Sequence, residues 1–302
     1  MRGLARLAMR GPMFAAGCAA VLALAAMVFG ILLVPSGAVI ALTTLRFGAR
    51  EGLKIAAIAA SFVLVVRLGL GQDIGSSALL VTMAWLPAWL LACTLATRRA
   101  LDWPLLLAAL MVLVYAAGLR LAVGDVAVFW RDRLKPLFEL MAKDAGARFT
   151  PEQMEFIVAQ IHSWTMIAVF CMLAAAIMLA RWWQAELYNP GGFGAEFREL
   201  RMPRAATVVA GGLALVYALG SKGVLILELA GDACVMLVVL FALQGLAVVH
   251  FMARVRGLAG AWLTTLYVVL ALVPQVAGPI LATTGLADNI VDFRRLGGAR
   301  QP

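Results

Sequence analysis

Glu228 and Asp232 stand four residues apart in the stretch ELAGD, a spacing that projects both carboxylates from one face of a helix. The sequence on either side is apolar. If the helix begins near Lys222, Asp232 lies about 15 Å along it, close to the middle of a hydrocarbon core about 30 Å thick. A carboxylate at that depth is costly unless it is protonated, paired or hydrated, so the pair reads as a ligand or proton site, or as an essential interhelical pair. A later helix start would instead leave both carboxylates near the membrane surface.

Two arginines have the reach to pair with them. Arg67 in VVRLGLGQD and Arg120 in AAGLRLAVGD each sit near one end of an apolar block, where a guanidinium can turn inward to a carboxylate or outward to lipid headgroups. Glycines beside both would let helices approach closely. A pocket lined by Arg67, Arg120, Glu228 and Asp232, open to a small-molecule ligand, is the expectation.

Other chemistry lacks its residues. His162 and His250 have no neighbours at metal-ligand spacing, and zinc requires three or four ligands; His250 reads as an interfacial residue that hydrogen-bonds locally. No serine or cysteine stands in a nucleophile motif. The GGFG run lacks the Lys-Ser/Thr of a phosphate-binding loop. Neither catalytic residue, metal nor cofactor is expected, and the chain reads as a non-enzyme.

The GGFG run belongs to a longer patterned segment, RWWQAELYNPGGFGAEFRELRMPR. Trp182 and Trp183 are expected to anchor at headgroup level. Asn189-Pro190-Gly191-Gly192 should turn the chain, and Glu196 to Arg201 should form a short charged helix. Phe193, Gly194, Phe197, Arg198 and Arg201 then present either a docking surface for a partner protein or a plug packed on the chain itself.

The elements that carry these residues follow from composition. Of 302 residues, 64% are hydrophobic and 14% charged, against about 45–50% and about 25% in soluble domains. Apolar residues come in long uninterrupted blocks, which excludes a soluble core and a β-barrel and leaves an all-α, polytopic transmembrane helix bundle. About eight spans are expected, near 13–33, 55–71, 77–97, 103–123, 160–181, 205–221, 224–250 and 258–281, with Gly37–Leu45 as a short or re-entrant extra segment. The whole chain, 1–302, reads as one membrane domain.

The formal net charge of +9 comes from arginines and lysines between the blocks, a topology signal and not a nucleic-acid surface. The clusters Arg2/Arg6/Arg10, Arg46/Arg50/Lys54, Arg98/Arg99, Arg181/Arg198/Arg201/Arg204 and Arg254/Arg256 fall on the cytoplasmic side if Gly37–Leu45 returns the chain. The run from Met13 is longer than a signal-peptide core of about 7–15 residues, giving an uncleaved first span with a cytoplasmic N-terminus. Arg294 and Arg295 are left outside unless the last block, interrupted by Pro274 and Pro279, folds as a broken hairpin.

One external insertion, at about 124–160, carries Phe129, Trp130, Leu134, Leu137, Phe138 and Met141 at helical spacing among charges, the pattern of an amphipathic helix on the bilayer surface. Thr150-Pro151-Glu152-Gln153 reads as a capping box that starts the next helix. Cys18, Cys93, Cys171 and Cys234 are single thiols inside apolar blocks, read as buried and inert. Ala15, Ala19 and Ala23 form a small-residue ridge for another helix.

The segments LYNPGGFGAEFRELRMPR, LQGLAVVHF and GLADNIVDFRRL together resemble the YybS-like family of bacterial predicted membrane proteins, a family without an assigned activity. The resemblance implies a multi-pass protein of the bacterial cytoplasmic membrane. VPSGAVIALTTLRFGAREGLKIA is more distantly similar to substrate-binding components of energy-coupling-factor vitamin transporters and to rod-shape proteins of the MreD type. In the transporter components a small-residue face of the first helix meets a coupling protein, a role the resemblance would give to Ala15/Ala19/Ala23. Two functions follow as expectations: a substrate-binding or transport-type membrane component, or a non-catalytic scaffold that recruits partners through the 182–204 loop, in envelope growth.

Overall fold

Helices satisfy their own backbone hydrogen bonds, and an apolar chain in lipid has few other ways to do so. The computed structural model describes residues 2–144, 149–220, 224–258 and 260–298, and every regular element among them is helical. In chain order these are α1 (Arg2–Ala8), α2 (Pro12–Ala25), a 3₁₀ turn (Gly30–Leu32), α3 (Leu33–Phe47), α4 (Ala49–Gly69), α5 (Ile74–Arg98), α6 (Asp102–Val123) and α7 (Val126–Asp144). Then follow α8 (Pro151–Tyr188), α9 (Gly192–Arg198), α10 (Arg204–Leu219), α11 (Leu225–Val255), α12 (Gly260–Leu272), α13 (Pro274–Val291) and α14 (Phe293–Gly298). Among the described residues six stretches are long and apolar enough to cross a bilayer: Gly30–Phe47, α4, α5, α6, α8 and α11. Three apolar helices, Pro12–Ala25, Arg204–Ala218 and Gly260–Leu272, are shorter.

The chain forms two compact units. One comprises Met1–Ala108, Cys171–Pro203 and Leu240–Pro302; the other comprises Ala109–Phe170 and Arg204–Val239.

In the first unit, α2, α3, α4 and α5 pack on one another. The expected span at 13–33 is not one helix: α2 stops at Ala25 and the chain turns before Gly30. Gly37–Leu45 is correspondingly no half-crossing but the body of α3, one of the most enclosed helices of the chain. Apolar composition is the same on both sides of this turn, so hydropathy cannot place it; packing does. Ser36 donates to the Ala19 carbonyl at 2.7 Å and receives the Trp85 indole N–H at 2.9 Å, which fixes α3 against both α2 and α5. Pro35 falls in the first turn of α3, where the missing N–H costs nothing. Gly48, at φ 94°, makes the sharp turn from α3 into α4. Ala15, Ala19 and Ala23 are fully buried within the unit. Their ridge is thus covered by the chain's own helices, and it is not a free face for a coupling protein.

Basic clusters that are distant in sequence meet in this unit. Arg2 pairs with Glu186 at 2.5 Å, the Arg46 guanidinium lies 4.4 Å over the Tyr188 ring, and Arg294 donates to the Leu200 carbonyl at 2.6 Å. The segments at 2–10, 46–54, 181–204 and the end of α13 therefore share one side. The last apolar block, placed as one span at 258–281 with a broken hairpin at its prolines as the alternative, breaks at Val273–Pro274 into α12 and α13, which pack together. That break returns Arg294 to the side of Arg201.

The tightest approach joins α11 and α13. A side chain at Gly245 would strike the Leu281 carbonyl, and one at Gly285 would strike the Phe241 carbonyl. Beside this crossing lies a polar network. Gln244, fully buried, accepts from the Met202 N–H at 2.8 Å and donates to Asp288 at 3.1 Å and Asn289 at 2.8 Å. Arg201 donates to the Asp288 carboxylate at 3.4 Å and to Asp292 at 2.8 Å. That Arg201 hydrogen bond holds the Asp292 carboxyl below its ordinary range.

In the second unit, α7 is the expected amphipathic helix, with Leu137, Leu140 and Met141 exposed. The capping box at Thr150 forms as read: the Thr150 N–H donates to Gln153 Oε1 at 2.9 Å and the Gln153 N–H to Thr150 Oγ1 at 3.3 Å. The helix it starts does not end at Arg181 but runs on to Tyr188. Arg131 of α7 holds Glu155 of α8 by two hydrogen bonds, at 2.9 and 2.8 Å. The thiols differ from expectation: Cys171 is exposed and the other three are half-buried.

Two outcomes test this packing. Gly245→Leu should lower the thermal midpoint in detergent well beyond the effect of Gly278→Leu, whose Cβ position is open; equal midpoints would remove the close crossing. The Asp292 tie contributes fully above the ordinary carboxylate range and is lost as pH falls through the lowered folded value. Amide protection at 199–202, measured relative to the intrinsic exchange rate at each pH, should accordingly fall in acid for the wild type, and Asp292→Asn should show that reduced protection already at neutral pH.

Candidate polar site

Three of the four residues picked out by spacing and charge come together, all in the second unit. The end of α6 supplies Arg120, and the first turns of α11 supply Glu228 and Asp232. Arg120 Nε donates to Asp232 Oδ2 at 2.7 Å and Nη2 to Asp232 Oδ1 at 2.9 Å. Its Nη1 donates to Glu228 Oε2 at 2.6 Å. Such a two-pronged guanidinium–carboxylate contact is both stronger and more directional than a single ion pair. It also explains the four-residue spacing, since one planar guanidinium can reach both carboxylates only if they share a helix face.

Burial divides the two acids. Asp232 is 4% exposed, whereas the Glu228 side chain is 40% exposed. α11 begins at Leu225, later than the start near Lys222 that the sequence suggested, so Asp232 is about 10 Å along the helix and not about 15 Å. The stretch Ser221–Lys222–Gly223 lies outside the described residues.

A fourth member was not singled out. His162, on α8 and 6% exposed, places Nε2 3.5 Å from Asp232 Oδ2, while its Nδ1 is buried with no partner among the described residues. Metal-ligand spacing is the wrong test for such a residue. The usable signal was that His162, apart from the weakly polar Cys171, is alone as an ionisable side chain between Phe156 and Ala180, and an ionisable group in an apolar span is a site candidate by itself.

Arg67 does not join the group. In the first unit its Nε donates to Ser77 Oγ at 2.7 Å, Nη2 to Ser76 Oγ at 3.2 Å and Nη1 to Met27 Sδ at 3.0 Å. Asp73, which caps α5 through the Ser76 N–H at 2.8 Å, sets those serines in place. The carboxyl of Asp73 is held below its ordinary range, chiefly by the Ser76 hydrogen bonds. Hydroxyl partners one helix away are as effective as distant acids in satisfying a guanidinium, and spacing alone does not rank them.

The 182–204 segment is mostly packed on its own unit. Trp182 and Trp183 continue α8 and are not in a loop; Trp183 is fully buried and so is no headgroup anchor. Asn189, Pro190 and the left-handed Gly191 make the turn, and the short helix runs from Gly192 to Arg198, earlier than the expected 196–201. Within it Phe193 and Phe197 stack at 6.2 Å, with Gly194 between them and Phe197 edge-on to His250 at 5.5 Å. His250 bonds the Tyr267 hydroxyl at 2.8 Å, the local hydrogen bond expected of it. Glu196 takes Arg181 at 2.7 Å. Phe193, Phe197 and Arg198 are half-buried, and Arg201 is engaged by Asp288 and Asp292.

Compared with known proteins, residues 139–289, half the chain, match the sequence family described as Predicted membrane protein (DUF2232). The chain belongs to that family. No curated protein and no solved structure matches it. The matched region of this DUF2232 chain contains His162, Glu228 and Asp232, the NPGGFG turn, and the Gln244–Asp288 network, while Arg120 lies ahead of it.

The pair's energetics give a direct check. Arg120→Met alone should destabilise by about 3–5 kcal/mol, because it strands Asp232 without its partner. Adding Asp232→Leu should recover a large part of that loss in thermal or denaturant unfolding. Strictly additive losses would mean that the two side chains do not depend on each other.

Proposed function

We propose that this protein is a transport-type component of the bacterial cytoplasmic membrane, which holds a small polar solute at the Arg120–Asp232–Glu228 group. The observation that carries the reading is the two-pronged Arg120–Asp232 contact, completed by Glu228, on helices that are long and apolar enough to cross a bilayer. Charged side chains are expensive in such helices and collect where a span faces a ligand path. The group holds a second carboxylate, Glu228, which is far more exposed than Asp232 and so is the one within reach of a solute.

The basic clusters gathered on one side of the first unit, with the end of α13, support a cytoplasmic placement of that side and of the N-terminal arginines under the positive-inside rule. The protein then acts by binding and moving a solute and does no covalent chemistry. The alternative, a scaffold that recruits a partner through residues 182–204, has less support because Phe197 packs edge-on to His250 of the same unit and Phe193 stacks on Phe197.

Purification in mild detergent with identification of bound small molecules is the test. A specific solute should co-purify with the wild type, and its occupancy should fall at least about tenfold in Glu228→Gln, as expected for loss of a charged hydrogen bond at about 1.4 kcal/mol per decade. No co-purifying solute, together with wild-type growth and uptake in Asp232→Asn, would end this reading.

A further inference from the structure

We propose that His162 is the proton-binding residue of the Arg120–Asp232–Glu228 group and that solute movement is coupled to that proton; the coupling rests on the transport reading above, whereas the proton site stands on the geometry. With a neutral imidazole, the charged residues gathered here are one guanidinium and two carboxylates, one negative charge in excess among the described residues. Among the described residues the neighbouring elements do not offset it. From α10 comes Tyr217, whose ring lies against Gly231, and from α7 comes Arg131, whose guanidinium is taken by Glu155 of α8.

The position of the imidazole says where a proton would go. Nε2 faces a carboxylate oxygen of Asp232 at 3.5 Å, the outer limit of a hydrogen bond, and a carboxylate accepts and cannot donate. The favoured neutral tautomer therefore carries its hydrogen on Nε2 and leaves a bare lone pair on Nδ1. That Nδ1 is buried and has no partner among the described residues, although polar atoms in an interior are nearly always paired. A proton delivered by hydronium adds to this lone pair and leaves water behind. No other bond changes, Nε2–H stays directed at Asp232, and the group becomes electrically neutral. In surroundings of low dielectric, that gain or loss of one charge distinguishes two states of the site.

The chain has two histidines, which makes the experiment direct. The full chain, labelled with ¹⁵N-histidine, carrying His250→Gln and held in lipid nanodiscs, reports His162 alone. At about pH 8 it should give one pyrrole-type and one pyridine-type nitrogen signal, and on acidification to about pH 5 the pyridine-type Nδ1 signal should move to the pyrrole-type position. Asp232→Asn should move the midpoint, because the carboxylate that faces the imidazole has lost its charge. A Nδ1 that stays unprotonated throughout overturns the proposal with no reliance on the Asp232 variant, and so does a midpoint that Asp232→Asn leaves unmoved. A titrating Nδ1 in a protein that retains no solute upholds the proton site and removes the transport reading. A retained solute beside a silent His162 does the reverse.

Discussion

Taking a charge out of water costs several kcal/mol for each buried ion, and the positions of several helices are set by how that cost is met. In the second unit Arg120 meets it with two hydrogen bonds to Asp232 and one to Glu228. Those contacts fix the rotation of α6 against α11, because a planar guanidinium accepts two carboxylates only over a narrow range of angles. His162 then sets α8 by the same carboxylate. In the first unit the problem is solved twice more with different materials: Arg67 uses serine hydroxyls and a thioether, and Asp288 uses Gln244, Arg201 and Arg294. Removing any of these charges without its partners leaves the other side of the pair buried and unmet.

Close packing of small residues supplies what apolar burial cannot, since lipid chains are as apolar as leucine and do not drive helices together. Gly245 against the Leu281 carbonyl, Gly285 against Phe241, and the buried Ala15/Ala19/Ala23 ridge are such contacts. They recur next to polar links, Gln244–Asp288 in one case and Trp85–Ser36–Ala19 in the other. The association has a reason: a hydrogen bond of about 3 Å between helices requires that the backbones approach, and only small residues permit it.

Hydropathy was sufficient for the existence of the helices and insufficient for two of their breaks. Met13 to Leu33 and Leu258 to Leu281 read as continuous apolar blocks, yet the first turns after Ala25 and the second at Val273. Pro274 announced the latter; nothing local announced the former, because the contact that enforces it, Ser36 on Ala19, is made between helices. The carboxylates were legible because charge is rare in such a chain and four-residue spacing has one helical meaning. Arg120 followed from proximity to an apolar end, but Arg67 met the same criterion and went elsewhere. His162 and Asp288 were passed over for a related reason: His162 meets Asp232 seventy residues away, and Asp288, apart from Arg294 six residues on, meets the distant Arg201 and the neutral Gln244.

The asymmetry between Glu228 and Asp232 gives the site a direction of working under the transport reading. Asp232 is buried and holds Arg120 through two N–H groups, so it keeps the guanidinium oriented whatever else binds. Glu228 holds a third N–H, is far more exposed, and lies in the first turn of α11, where the helix dipole stabilises a carboxylate even without a cation beside it. Releasing Glu228 is thus the less costly of the two separations, and it frees Nη1 of Arg120 and a carboxylate together. A solute that carries both a hydrogen-bond acceptor and a donor can take the two vacated places at once, which a site with a single acid could not offer.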